Sequence, residues 1–203
     1  AVVRYNSDGS LDAGFGSGGI VRTDLGSGFD IPYSVVQQAD GKLVVTGESA
    51  HDFTLVRYNS DGSLDTSFDG DGVVITDVGT ASRSSSIIQQ ADGKLVITGQ
   101  IDGVTNNFAV VRYNLDGSLD TSFDVDGIQT TVVGTDNSYA RNIIQQADGK
   151  LLAAGQSYLY QPQSDFALAR YNADGSLDAT LVGDAGLGNG TVTTDFGTVD
   201  AQG

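Results

Sequence analysis

The sequence predicts an all-β protein built from repeated units of roughly 55 residues, an arrangement typical of propellers, solenoids and arrays. The acidic residues number 26 and all but Glu48 are aspartate, while the 203-residue chain contains 28 glycines. Aspartate and glycine favour turns over helix interiors. Two markers recur: Arg-Tyr-Asn begins at Arg4, Arg57, Arg112 and Arg170, and Gln-Gln-Ala-Asp-Gly-Lys ends at Lys42, Lys94 and Lys150.

One repeat contains four short β-prone segments separated by turns. The first covers residues 33–38 and is closed by Asp40-Gly41. Asp-Gly between two apolar runs is a strong hairpin signal, because glycine supplies the positive φ that a tight turn requires. The second segment, 42–47, is apolar on both faces, which predicts burial on both sides. The third and fourth cover 53–59 and 72–77.

Four antiparallel strands per repeat, without helical periodicity, predict the blade of a β-propeller. A β-sandwich would not explain near-identical repeats, and a parallel β-helix would need shorter coils. The second strand of each repeat is expected to lie inside the blade stack, where its apolar side chains are shielded from water. The residues predicted to be buried are Leu43, Val45, Leu95, Val96, Leu151 and Leu152.

The repeated string resembles a known family. Arg-Tyr-Asn-x-Asp-Gly-Ser-Leu-Asp-x-x-Phe, followed by glycine-rich turns and Gln-x-Asp-Gly-Lys, is similar to the delta-60 repeat. The resemblance covers essentially the whole chain and implies a β-propeller domain of unknown function in a large bacterial secreted or surface protein. The fourth copy departs from the pattern, since Leu181 replaces the Phe of the other copies and residues 184–190 are longer and glycine-rich.

The repeat boundaries predict about three and a half blades. The repeats cover approximately 1–26, 27–79, 80–134 and 135–197, and 198–203 begins a further one. The chain is therefore predicted to be a segment of a longer array that starts within a blade. An unpaired strand edge is a template for another strand. Strands 1–6 and 191–196 are not expected to finish a blade, and we expect each to be met by missing chain or by a neighbouring copy.

The charge and composition limit the partners. A formal net charge of −16 and a pI near 4.1 argue against nucleic acid, whose phosphate backbone is also negative. No apolar run approaches the ~20 residues of a membrane span, so no membrane insertion is predicted. The chain has no cysteine, which excludes disulfides and thiolate chemistry.

The loop after Arg-Tyr-Asn carries oxygen-bearing side chains at alternate positions. Alternate oxygens that curl round a hard cation are how Ca²⁺ loops work, so calcium is the one cofactor that this pattern suggests. The alternative is an Asx-turn, in which the same side chains bond to the backbone. The positions are Asn59, Asp61, Ser63, Asp65, Asp69 and Asp71; Asn6, Asp8, Ser10 and Asp12; Asn114, Asp116, Ser118, Asp120, Asp124 and Asp126; and Asn172, Asp174, Ser176 and Asp178.

The repeated arginine shares a strand face with apolar residues, and a partly buried guanidinium needs a carboxylate. We predict structural ion pairs from Arg4, Arg57, Arg112 and Arg170 to Asp65 and its equivalents or to the Asp40-type turn residues. The repeated lysines are predicted to be solvated at strand starts. The single histidine, His51, is interpreted as part of a surface loop, and one histidine cannot serve a recurring catalytic set.

These observations predict a non-enzymatic, extracellular or cell-surface module for adhesion, surface structure or protein binding. Its partner, a protein or a glycan, would bind at the loops that vary most between repeats: 48–52, 101–107 and 157–165. One alternative is a calcium-assisted carbohydrate-binding propeller, with Tyr158 and Tyr160 as the exposed platform. Another is the propeller part of a larger secreted enzyme.

Overall fold

The computed structural model describes residues 1–79, 81–160, 163–182 and 188–194, with backbone alone at 159, 160 and 163. In these residues the long regular elements are strands, and no helix is long and apolar enough to cross a membrane. The strands are β1 (Val2–Val3), β2 (Ile20–Val21), β3 (Asp30–Gln37), β4 (Leu43–Ser49), β5 (Asp52–Tyr58), β6 (Val73–Thr76), β7 (Ala81–Gln89), β8 (Leu95–Asp102), β9 (Asn107–Tyr113), β10 (Ile128–Thr131), β11 (Ser138–Gln145), β12 (Leu151–Tyr160), β13 (Gln163–Tyr171) and β14 (Thr191–Thr194).

The strands form antiparallel sheets whose members are consecutive in the sequence. Strands β3 to β6, β7 to β10 and β11 to β14 make three four-stranded sheets, which we call blades 1, 2 and 3. Strands β1 and β2 make a two-stranded sheet, the half-blade, equivalent to the last two strands of a blade. The predicted all-β propeller with about three and a half blades is confirmed.

The last strand corrects one expectation. β14 pairs with β13, with Thr191 opposite Ala169 and Thr194 opposite Phe166, and it completes blade 3. The prediction that 191–196 could not finish a blade is therefore wrong for β14. Only β1 and β2 form a partial blade in the described part of the chain. The expectation that outside strands meet the two ends stays a prediction, and residues 198–203 lie outside the described residues.

The hairpin between the first two strands of each blade follows the Asp-Gly signal. Gly41 has φ of 86°, in the left-handed region that favours glycine. Its amide donates to the carbonyl oxygen of Gln38 over 2.9 Å. The same turn occurs in blades 2 and 3, where the amides of Gly93 and Gly149 donate to the carbonyl oxygens of Gln90 and Gln146. These turns fix the register of both hairpins.

A close backbone approach explains the glycine that recurs in the second strand. The first strand of each blade has a register shift, between Ser84 and Ser86 in blade 2. A Cβ atom on Gly99 would lie 2.0 Å from the carbonyl oxygen of Arg83 and 2.7 Å from the ring of Phe53. The equivalent glycines, which face the shift in the other two blades, are Gly47 and Gly155.

The blades pack face to face through apolar clusters that belong to neighbouring repeats. Between blades 1 and 2 the cluster contains Phe53 and Leu55 with Ile87 and Ile97. A second cluster joins blades 2 and 3, and a smaller one joins the half-blade to blade 1. Burying such a side chain contributes about 1.5–3 kcal/mol, so each blade is stabilised mainly by its neighbours.

Burial of the second strands agrees with prediction at four positions and differs at two. Val45, Leu95, Val96 and Leu151 are buried, as predicted. Leu43 and Leu152 are only half-buried, so their predicted burial is wrong. Leu43 packs against the half-blade, which has two strands instead of four. Leu152 is on the face of blade 3 that no further described blade covers.

The tyrosine of Arg-Tyr-Asn links each blade to the preceding unit. The hydroxyl of Tyr113 donates to Oγ1 of Thr76 in blade 1 over 2.7 Å, and that of Tyr171 to Thr131 in blade 2 over 3.0 Å. Tyr58 makes the same 2.6 Å contact with Thr23 beside the half-blade. Burial raises the pKa of Tyr113 and Tyr171, so both stay protonated and able to donate.

Candidate binding surface at the blade edges

The repeated arginine is fixed within its own blade and bonded to the next. Arg57 Nε lies 2.6 Å from Asp65 Oδ2. Its guanidinium carbon is 4.4 Å from the ring centroid of Phe68, which adds a cation–π contact. Nη1 donates to the carbonyl oxygen of Leu115 in blade 2 over 2.6 Å. The side chain therefore works as a structural bridge between blades.

The repeated aspartate accepts bonds on both oxygens. Lys42 Nζ lies 2.8 Å from Asp65 Oδ2, and the amide and hydroxyl of Ser67 donate to Oδ1. Burial alone would raise the pKa of Asp65, but the bonds from Lys42 and Ser67 and the charge of Arg57 lower it well below its usual range. The prediction that the repeated lysines are solvated strand starts is therefore wrong.

The same group recurs with small differences. Asp120 Oδ2 lies 2.6 Å from Arg112 Nε and 2.8 Å from Lys94 Nζ, and Asp178 Oδ2 has the same two distances to Arg170 and Lys150. In the half-blade, Arg4 pairs with Asp12 over 2.8 Å, and its Nη1 donates to the carbonyl oxygen of Ser60. All four arginines thus form ion pairs with the loop aspartates.

Because of these carboxylates, we expect the free energy of unfolding to decrease in acid. The pKa values of Asp65, Asp120 and Asp178 are lowered in the folded chain, whereas an unfolded Asp titrates near pH ~3.9. Below about pH 4 the unfolded state takes up protons first, so the free energy of unfolding falls as pH falls. Asp52 and Asp124, whose pKa values burial raises, act in the opposite direction.

Urea unfolding followed by circular dichroism should show a midpoint that falls steadily from about pH 5 to about pH 3, because the aspartates whose pKa values are lowered outnumber Asp52 and Asp124, whose pKa values are raised. The variant Asp65→Asn should be less stable at neutral pH and have a shallower dependence. A midpoint that is unchanged or rises in acid would contradict this assignment.

The loop oxygens predicted as calcium ligands bond within the turn. Asp61 Oδ1 accepts the amide of Ser63 over 2.9 Å and its hydroxyl over 2.7 Å, while Asn59 Nδ2 donates to Ser63 Oγ over 3.0 Å. Asp71 Oδ1 accepts the amide of Val73. The copies at Asn6, Asp8, Ser10 and Asp12, and at Asn114, Asp116, Ser118 and Asp120, make the same turn bonds.

The described residues contain no group of three or more His, Asp or Glu arranged to hold a metal ion. The geometry favours turn chemistry over calcium, and the calcium site stays a hypothesis. We therefore expect the melting temperature in excess EDTA to match that in an equal ionic strength of sodium chloride. A chelator-specific decrease of several degrees, restored by added calcium, would instead establish a calcium site.

A non-repeated cluster lies on the seam between blades 1 and 2. Oε2 of Glu48, a residue that is 7% exposed, forms an ion pair with Arg83 Nε at 3.1 Å and accepts from the Tyr33 hydroxyl over 3.4 Å. The other carboxylate oxygen is 2.9 Å from Nδ1 of His51, whose ring is 64% exposed. Ala50 and His51 have φ of 52° and 70°, a costly left-handed turn for residues other than glycine. His51 is thus on the surface, as predicted, but it is also paired.

A second non-repeated cluster lies on the seam between blades 2 and 3. Asn106 Nδ2 donates to the Tyr139 hydroxyl over 3.0 Å. Tyr139 contacts Tyr158 edge to face, with 5.7 Å between ring centroids, and Arg141 lies over its ring at 5.5 Å. Gln156 donates to the Tyr158 hydroxyl over 3.0 Å. This cluster joins the loop after β8 to the first two strands of blade 3.

The two tyrosines predicted as a ligand platform have different outcomes. Tyr158 is half-buried and packs against Tyr139, so it is less exposed than predicted. The side chain of Tyr160 lies outside the described residues. Tyr139, Arg83 and Tyr33 were not predicted, because their places in the clusters depend on how the first strands pack against neighbouring loops.

The family model described as “Domain of unknown function (DUF5122) beta-propeller” matches residues 1–15, 38–68, 90–123 and 146–181, more than half of the chain. The chain belongs to this family. The matched segments of the DUF5122 family carry the repeated Arg-Tyr-Asn strands and Asx loops. Of the seam residues, they include Glu48, His51, Asn106, Gln156 and Tyr158 and leave out Tyr33, Arg83, Tyr139 and Arg141.

One solved structure that is similar to this chain is a catalytically inactive virginiamycin B lyase from Staphylococcus aureus with quinupristin. It is 14% identical, with a TM-score of 0.30 over 76% of this chain. The chain spans 61% of the length of that protein, and a TM-score this low carries no argument about activity. No curated protein matches the chain.

Proposed function

We propose that this member of the DUF5122 family is a non-enzymatic, extracellular or cell-surface binding module. Its partner is a protein that binds along the seam surface, which we define as the exposed parts of the two non-repeated clusters. An adhesive or surface-structural role follows from such binding. The extracellular setting is supported by the resemblance to delta-60 repeat proteins, which implies large bacterial secreted or surface proteins.

One observation carries this proposal: the repeated Arg, Asp and Lys side chains make contacts within the fold, whereas the non-repeated Glu48, Arg83 and Arg141 lie on the seams. Each repeated arginine, aspartate and lysine of the blades is committed to an internal contact. The loops after β4 and β8 lie next to the following blade, since His51 and Asn106 each accept an amide from it. Variable side chains on a rigid scaffold are where specificity is placed.

The chemistry of the seam surface fits a polar protein partner. Arg83 and Tyr33 are both about half exposed, and arginine and tyrosine are enriched at energetically important interface positions. The buried carboxylate of Glu48 is paired with His51, Arg83 and Tyr33. It therefore holds these three side chains in place. A glycan is the alternative, favoured by the aromatic pair Tyr139 and Tyr158.

A printed array of extracellular proteins and glycans tests the proposal. We expect the chain to bind a small set of proteins, and Arg83→Ala combined with Tyr139→Ala to weaken that binding at least about tenfold. The matched control combines Arg22→Ala with Tyr5→Ala, which remove the same chemistry from the half-blade. Binding to glycans alone would select the carbohydrate alternative. Equal loss in both double variants would contradict the seam surface as the site.

A further inference from the structure

The turn that leads into β14 contains a pair of residues that occurs once in the chain. Asn189-Gly190 is the only asparagine followed by glycine in the 203 residues. At the equivalent turn blade 1 has Asp71 and blade 2 has Asp126, each followed by glycine. An asparagine before glycine is prone to lose its side-chain amide group, because glycine has no side chain to hinder the approach of its backbone nitrogen to the side-chain carbonyl carbon.

In the repeated turns this glycine nitrogen is held by a hydrogen bond. The amide of Gly72 donates to the carbonyl oxygen of Phe68, and that of Gly127 to Phe123, both over 2.7 Å. Attack on the side chain requires the nitrogen to leave this bond and give up its proton, so the bond slows the reaction. The glycine amides of the other repeated Asp-Gly turns also donate to backbone carbonyl oxygens: Gly9, Gly41, Gly62, Gly93, Gly117, Gly149 and Gly175.

Gly190 differs from these glycines. Its repeat has a longer segment before this turn, and Leu181 replaces the phenylalanine. Its carbonyl oxygen accepts the amide of Arg170 over 2.8 Å, but within the described part of the chain no carbonyl oxygen accepts its own amide. Asp69-Gly70 also lacks such a bond there, but its side chain is a carboxylate, whose negative charge repels a nucleophile.

The side-chain carbonyl of Asn189 is polarised by two donors. Its Oδ1 accepts the amide of Thr191 over 3.0 Å and the Thr191 hydroxyl over 3.1 Å. Blades 1 and 2 have Val73 and Ile128 at this position, so that only the backbone amide donates. Donors directed at an oxygen stabilise the negative charge that develops on it when its carbon is attacked. Asn189 is also exposed, so water reaches its side chain.

We propose that Asn189 is a site of spontaneous deamidation. The nitrogen of Gly190 forms a bond to Cγ of Asn189 and gives up its proton. The bond from Cγ to Nδ2 breaks, and ammonia leaves with that proton. Water then opens the resulting cyclic imide at either of its carbonyl carbons, which leaves aspartate or isoaspartate at position 189. Water is the only co-reactant.

The isoaspartate product changes the outer strand of blade 3. It places an additional carbon atom in the backbone just before Gly190, where the chain enters its register with β13. The backbone has little room to move, because a Cβ atom on Gly190 would lie 2.9 Å from Cβ of Leu177 and 3.1 Å from the amide nitrogen of Asp178. Deamidation should therefore loosen the pairing of β14.

Peptide mapping by mass spectrometry tests the proposal on the full chain, incubated in mildly alkaline buffer. The matched control is Asp126→Asn, which creates the same pair in the turn of blade 2 where the amide of Gly127 is held. We expect Asn189 to deamidate at least about threefold faster than the introduced asparagine in the folded variant. In concentrated urea, where neither turn is formed, the two rates should be similar. Thr191→Val should slow the reaction at Asn189 at least about threefold.

Amide hydrogen exchange gives a second readout. After deamidation the amides of β14 should exchange several-fold faster, whereas those of β6, the same strand of blade 1, should not change. The proposal is overturned if folded chain keeps the Asn189 amide over the time in which unfolded chain loses it. It is also overturned if the two asparagine–glycine pairs react equally fast in the folded variant, or if Thr191→Val leaves the rate unchanged.

Discussion

The substitution Asp120→Asn should destabilise the protein by about 3 kcal/mol or more, because it removes the carboxylate that two cations share. Arg112 Nε and Lys94 Nζ lie 2.6 and 2.8 Å from Asp120 Oδ2. The guanidinium is buried and cannot regain its hydration without opening the seam. For a chain of this size we expect the melting temperature to fall by about 6 °C or more.

Asp116→Asn is the matched control. Asp116 belongs to the same loop and accepts the amide and hydroxyl of Ser118, as Asp120 does with Ser122. It is exposed, however, and the structure gives it no ion pair. The cost should stay below about 1 kcal/mol. Similar losses in the two variants, measured by urea unfolding, would mean that the ion pairs contribute little.

The substitution Gly99→Ala should cost about 3 kcal/mol, since the added methyl group meets backbone that cannot yield. Its Cβ would lie 2.0 Å from the carbonyl oxygen of Arg83 and 2.8 Å from Cα of Ser84. Moving the first strand away would also loosen the contact with Phe53 of blade 1. A fall in melting temperature and faster amide exchange on both blades would show this coupling.

Gly103→Ala provides the comparison, because the nearest atom to its Cβ is a loop carbonyl oxygen at 3.2 Å and its φ is not in the left-handed region. We expect it to change stability by less than about 0.5 kcal/mol. If Gly99→Ala proved equally mild, the close approach of the first two strands would not be needed for blade packing.

Local patterns predicted the blade well. The Asp40-Gly41 turn and the alternation of the strands are determined by neighbours in the sequence. The pairing of Arg57 with Asp65 was also accessible, because the two lie 8 residues apart across one loop and a guanidinium on an apolar strand face requires a carboxylate.

The missed features depend on contacts between residues that are distant in the sequence, either within one blade or between blades. Lys42 reaches Asp65 over 23 residues, and Tyr113 reaches Thr76 over 37. No local spacing indicates either contact. The half-burial of Leu43 and Leu152 depends on which blades stand beside them. One signal was available for the seam cluster, because the only glutamate and the only histidine lie three residues apart at a hairpin turn.

The tyrosine–threonine bonds between blades have a consequence for the length of such arrays. Every described seam has the same tyrosine–threonine contact at the same positions. After a unit is duplicated or deleted, the two blades that become neighbours therefore still carry the matching tyrosine and threonine. The free energy of unfolding of such an array is approximately the sum of the stabilities of the single units and of the interfaces between neighbouring units. Genetic recombination within the repeated segments can therefore change the number of units while this tyrosine–threonine contact is kept at each new seam.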